Sequence, residues 1–151
     1  MTKDILKVKG YVRIQLTDKE TGKVVYDSGE IEQVITLYGA MRVMNCYDAV
    51  GTVSGSANKV NLYYTGGDSE TPVKSLTGSW GTRVNTGTAL QNTLTAQDTS
   101  SDAYSFRYLG LDTTAPLGWL NNLHKHDYGS VVNKGSNQTL TVSWRISIPF
   151  S

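Results

Sequence analysis

From Thr139 to Phe150 the chain alternates. Leu140, Val142, Trp144, Ile146, Ile148 and Phe150 fall on every second position, with Thr139, Thr141, Ser143, Arg145 and Ser147 between them. Successive side chains on a β-strand point to opposite faces, so the pattern predicts a strand with one apolar and one hydroxyl-rich face. A helix would scatter residues of period two around its axis. At ~3.3 Å per residue the strand spans roughly 40 Å, enough to run the full height of a small sheet structure. Its polar face carries a single charge, Arg145, which is weak protection for an exposed edge. The strand is therefore expected in the middle of its sheet or under a neighbouring subunit.

The same reading applies upstream. Leu6, Val8, Val12, Ile14 and Leu16 alternate with polar residues, and Gly10 interrupts the apolar face. Asp18-Lys-Glu-Thr-Gly22 is a turn into a partner strand at Val24, Val25 and Tyr26. Lys7, Lys9 and Arg13 beside Tyr11 on the outward face suit a charged sheet edge, or else a basic contact patch. After a short extended piece at 30–35, Thr36 is placed to cap a helix over residues 36–50, with Leu37, Met41 and Met44 on one face and Gly51 as its stop. Val60, Leu62 and Tyr64 mark a further strand, and Gly66 to Pro72 a turn or exposed loop. Residues 73–91 have apolar positions broken by Gly78, Gly81 and Gly87, which fits either a long contact loop or short strands. A hairpin follows at 92–111 with the polar tip Asp98–Asp102, and its second arm is expected to put Tyr104, Phe106 and Tyr108 on one face. Residues 117–123 form a helical turn or a loop bearing Trp119, and 125–132 an irregular strand. The sum is a mainly β chain, an antiparallel β-sandwich or jelly-roll-like domain of about seven or eight strands with one helix near residues 36–50.

Composition changes this picture in two ways. With 151 residues, one domain covering 1–151 can bury enough core to fold without a disulfide or a metal, and the lone Cys46 could not form an intrachain disulfide. Second, the net charge is +1 and only 18% of residues are charged. That leaves no electrostatic footprint for nucleic acid or an anionic membrane, and little repulsion between copies. No apolar run reads as a signal peptide or a membrane helix, so synthesis in a cytoplasm is expected.

Candidate chemistry is sparse. His124 and His126 would share a face on an extended segment, but a zinc or copper site needs three or four ligands and no third histidine exists. They are read as exposed loop residues, and no metal, cofactor or catalytic group is expected. Gly67-Asp-Ser69 lacks the context of a hydrolase nucleophile, and the sequence holds no phosphate-binding loop. Trp80 and Trp119 lie in loop-like segments; each either anchors an outside contact or folds back over the rim of the core. With Tyr63, His124, His126 and Arg145 they make up the candidate interaction residues.

The order of these features resembles that of small structural proteins of tailed bacteriophages. The resemblance rests on Thr21-Gly-Lys-Val-Val25 in a hairpin, Gln33-Val-Ile-Thr-Leu-Tyr-Gly-Ala40 leading into the helix, the strand from Val60 to Gly67, Leu109-Gly-Leu111, and the closing strand. The chain departs from that pattern before the helix, where Gln33 and Leu37 replace the usual asparagines. The resemblance implies a non-enzymatic virion protein: a capsid decoration, cement or head-fibre protein, or a tail accessory protein. Its partners would be a major capsid or tail protein and further copies of itself, with neither nucleic acid nor membrane involved. The alternative expectation is a host-attachment protein that stacks a surface glycan on Trp80, Trp119 or Tyr63.

Overall fold

The computed structural model describes residues 8–35 and 57–150. The helix expected at 36–50 lies outside the described residues, as do Lys7 and Cys46. Within them the chain runs through β1 (Val8–Asp18), β2 (Val24–Asp27), β3 (Ile31–Ile35), β4 (Lys59–Tyr63), β5 (Lys74–Thr77), β6 (Ser79–Trp80), β7 (Val84–Asn85), β8 (Ala89–Asp98) and β9 (Tyr104–Asp112). A 3₁₀ turn at Trp119–Asn121 then precedes β10 (His124–Lys134) and β11 (Gln138–Pro149). The difficult stretch at 73–91 thus resolves into short strands, each ended by a glycine or a tight turn.

These strands form a β-sandwich of two antiparallel sheets. The larger is ordered β2-β1-β11-β8-β6, with β3 also pairing with β1 and β7 with β8; the smaller is β10-β9-β4-β5. The closing strand β11 is central, with β1 on one side from Lys9↔Ser147 to Asp18↔Gln138 and β8 on the other from Ala89↔Pro149 to Asp98↔Leu140. This explains why its polar face needs only one charge: both of its edges are already hydrogen-bonded. Its apolar set meets Val12, Ile14 and Leu16 of β1, Leu94 and Ala96 of β8, and Val60, Leu62, Phe106, Leu109 and Leu111 of the second sheet in one buried cluster. Full burial of each such side chain contributes roughly 1.5–3 kcal/mol.

The first strand is likewise interior to its sheet, so its outward cations guard no edge. Arg13 makes a two-pronged contact with Asp27, Lys9 lies 3.0 Å from Glu32, and Arg145 pairs with Glu30 while stacking 4.0 Å from the centre of the Tyr11 ring. Each of these cations is matched by a carboxylate from a neighbouring segment, so the described members of the expected basic patch, Lys9 and Arg13, are paired.

One face assignment fails. Phe106 is buried in the core, but Leu109 and Leu111 are the next inward residues, so β9 changes phase between them. The pairing of β9 with β10 slips at the same place, between Asp127 and Val132. An irregularity of this kind turns following side chains to the other face. Tyr108 consequently leaves the Tyr104–Phe106 face and stacks on Trp119, with 4.9 Å between ring centres.

Candidate functional site

The outer face of the smaller sheet does not meet solvent at its centre. Asn61 and Tyr63 alternate with the core residues Val60 and Leu62, so they point outward, yet both are fully buried. What covers them is the connection between β9 and β10, residues 113–122, which folds back over the sheet. Asp112 fixes both ends of this loop. Its Oδ1 accepts from the backbone N–H of Thr113 (2.6 Å), and its Oδ2 accepts from that of Leu123 (3.1 Å). A compact loop with closely tied ends is an Ω-loop, a unit often used for function.

Beneath the loop lies a closed polar network. Asn61 Nδ2 donates to Thr114 O (2.9 Å) and to Asn122 Oδ1 (2.8 Å), while Asn61 Oδ1 accepts from Ser75 Oγ (2.7 Å). Tyr63 donates to Pro116 O (2.6 Å), and Asn122 Nδ2 donates back to the Tyr63 hydroxyl (3.1 Å). Burial is the main influence on the Tyr63 hydroxyl and raises its pKa above the usual tyrosine value. A buried network of this kind fixes geometry because leaving any member unpaired is costly.

Two glycines make the fit. A Cβ on Gly110 would lie 2.1 Å from Asn122 Cγ, so the asparagine can rest on the sheet only because position 110 has no side chain. Gly118 has φ +81°, and a Cβ there would lie 2.3 Å from the backbone carbon of Asp68. This is where the β4–β5 loop crosses: Gly118 N–H donates to Glu70 O (2.7 Å), and Asn121 Nδ2 donates to Asp68 O (3.1 Å). Replacing Asn122 with alanine should leave Asn61 and Tyr63 short of partners and cost about 2 kcal/mol. Thermal unfolding should then show Tm lowered by roughly 6 °C; an unchanged Tm would mean that the network does not hold the loop.

On its outer side this clamped loop presents Leu117, Leu120 and Leu123, exposed by 56%, 50% and 40%. The middle one sits on the 3₁₀ turn, and the other two flank it beyond Gly118 and the extended Asn122. Soluble surfaces carry scattered leucines without consequence, but three on one loop whose backbone is held by buried hydrogen bonds form a defined apolar projection.

The candidate residues separate accordingly. Tyr63 lies inside the network and offers no stacking surface. His124 and His126 are corrected too: they are buried on the inner face of β10, where Lys125 and Asp127 take the exposed positions. Trp119 is half-buried on Tyr108 and donates its indole N–H to Leu109 O (2.8 Å). Trp80 is half-buried at the rim of the core and donates to Ala57 O (2.9 Å). Arg145 is tied to Glu30 on the outer face of the larger sheet. The structure therefore does not gather these six residues into one site.

A second polar cluster surrounds the β8–β9 turn. Lys134, almost wholly buried, donates to Ser100 O (3.0 Å), Asp102 O (2.6 Å) and Gly135 O (3.2 Å). Lys74 reaches Asp102 (2.7 Å), and Tyr104 donates to Asp98 (2.6 Å). Burial works to raise the Asp98 carboxyl, but hydrogen bonds from Ser100 and Tyr104 and the Lys74 charge outweigh it and hold the group down to about 2. These polar groups are committed to one another and to backbone carbonyls, which makes the cluster a turn clamp.

Among the described residues no group of three or more histidine, cysteine, aspartate or glutamate side chains could hold a metal ion, and no helix is long and apolar enough to cross a membrane. A scan against protein-family models finds no match, and searches of curated proteins and of solved structures likewise return none.

Proposed function

We propose that this protein is a non-enzymatic structural component of a tailed-bacteriophage virion, a capsid decoration, cement or head-fibre protein that docks on the particle's protein lattice. The observation that carries the reading is the Ω-loop, which holds Leu117, Leu120 and Leu123 outward on a backbone fixed by a buried network. The motif order from the Thr21–Val25 hairpin to the closing strand supports the virion setting, and the β-sandwich suits it. The partner is a protein because the projection is apolar and lies apart from the paired charges of the larger sheet. Each leucine is about half exposed, so covering all three contributes on the order of 3 kcal/mol, about a hundredfold in affinity at one site. Repetition of the contact over a lattice would convert that modest affinity into stable occupancy.

The test is co-sedimentation of the protein with particles that lack it. The chain should bind in a fixed ratio, and the triple variant Leu117→Ser, Leu120→Ser, Leu123→Ser should bind about a hundredfold more weakly with Tm essentially unchanged. Purified virions without the protein, or equal binding by the variant, would defeat the proposal. Burial of Tyr63 weakens the glycan alternative by removing one of its three stacking residues.

A further inference from the structure

The leucine projection is bordered by charge on two sides. The Ω-loop lies over β9 and β4, where Asn122 rests against Gly110 and accepts from Asn61. Sheet order puts β10 on one flank of that site, and the β4–β5 connection crosses the other at Gly118. On the β10 flank stands Lys125, exposed, its Nζ donating to Leu120 O (3.4 Å). On the far flank stands Asp68, also exposed, its backbone packed against Gly118 and its carbonyl accepting from Asn121 Nδ2 (3.1 Å). Charges beside them are already answered. Asp127 accepts two bonds from Arg107 (3.0 and 3.2 Å), and Glu70 accepts from the Thr65 N–H (2.8 Å) and hydroxyl (2.9 Å). Lys125 and Asp68 form no ion pair among the described residues. A cation and an anion therefore stand at opposite ends of the apolar strip, Leu123 toward the first and Leu117 toward the second.

We propose that this polarity selects the partner and the direction of docking: the partner's surface is an apolar pocket bordered by a carboxylate that faces Lys125 and by a cation that faces Asp68. This rests on the docking function proposed above and adds the chemistry of the surface that receives it.

An apolar contact is non-directional, so the leucines alone would enter a pocket either way round. Charges at the rim supply what they lack. Remaining hydrated, such charges add little to the final affinity, but they steer the approach and reject the reversed pose, in which like charges would meet. Both are held at fixed places. Asp68 is held by the close crossing at Gly118, where a Cβ would overlap its backbone, and Lys125 by its pairing with Gly110 on β9. The spacing of cation, leucines and anion is thus set before binding and costs no ordering on contact. A strip with opposite charges at its two ends also complements itself about a two-fold axis, which makes a second copy the competing occupant. Such a pair would consume the leucines that docking on the lattice requires.

The test compares four full-length chains, the parent, Lys125→Glu, Asp68→Lys and the double reversal, for their rates of association with purified particles that lack the protein. Both side chains are exposed, so Tm should be the same in all four. At low ionic strength each single reversal should slow association roughly tenfold with dissociation little changed, and the double reversal should be slower still, because the partner's charges are unaltered. At about 1 M salt, where charges are screened beyond roughly 3 Å, the four should associate alike. Reversals that associate like the parent at low salt, while the triple leucine variant still binds weakly, would overturn the polarity and leave docking intact. A triple leucine variant that binds like the parent would defeat the docking function itself, and this inference with it. Self-association of the free chain in sedimentation velocity, lost in each single reversal and restored in the double, would overturn the inference by assigning the strip to a second copy.

Discussion

A chain ending at Ser143 should not fold. Deleting Trp144 to Ser151 removes Trp144 and Ile146, both fully buried, from the centre of the sandwich. It also strips the lower half of β11 from both neighbours, leaving Lys9 to Val12 and Ala89 to Leu94 without those ladder partners. Losing a buried tryptophan alone costs about 3–5 kcal/mol, and a buried isoleucine about 2–5. Together with the backbone groups left unpaired, that approaches or exceeds the roughly 5–15 kcal/mol by which a domain is stable. Circular dichroism and calorimetry of the truncated chain should show no cooperative transition. A soluble truncation that melts cooperatively would show that β11 is not the element around which this sandwich is built.

The second large effect is expected at Lys134. Changing it to methionine keeps most of the stem and deletes the ammonium that three backbone carbonyls surround. Ser100 O retains a bond from Lys19 (3.1 Å) and Gly135 O one from the Gln138 N–H (3.3 Å), but the structure offers no such substitute for Asp102 O. Leaving Asp102 O dry costs about 1–3 kcal/mol, and the charge-assisted bonds lost at the other two carbonyls add to this, partly offset because a charge no longer has to be buried. A net loss of about 3 kcal/mol is expected, which thermal unfolding should register as a fall of roughly 10 °C in Tm. Arginine should not rescue it, since a planar fork cannot present three donors to this compact cage. A variant as stable as the parent would show that the cage contributes nothing net.

The architecture was legible where one physical rule governed a whole element. In β11 every inward residue is apolar and both edges are paired, so alternation alone identified it. In β9 the rule broke at an irregularity that shows only in the pairing slip, and Tyr108 was placed on the wrong face. The histidines were misread for a different reason. His124-Lys125-His126-Asp127 does alternate inward and outward, but a neutral imidazole behaves as an interior group only when its surroundings keep it neutral, and sequence does not reveal those surroundings. Tyr63 and Asn61 could not have been seen as interior, because what buries them is a loop some fifty positions further along. The available traces were Gly110 and Gly118, each replaceable only at the cost of a close approach, and the leucines repeating at every third residue from 117.

The pairing of β1 with β11 has a kinetic consequence. These two strands lie at opposite ends of the described chain, yet each is the other's neighbour along nearly its whole length. Until β11 docks, β1 is paired with β2 and β3 along one edge, and its other edge, beside Val12, Ile14 and Leu16, stays open. Contacts between such distant segments cannot form until the intervening chain has given up its loop-closure entropy, so they form late and the folding barrier is high. The same barrier applies in reverse: once β11 is seated between β1 and β8, withdrawing it breaks two ladders at once. Slow assembly is thus joined to slow escape, and the folded molecule is held in place by its rate of unfolding as well as by its free energy.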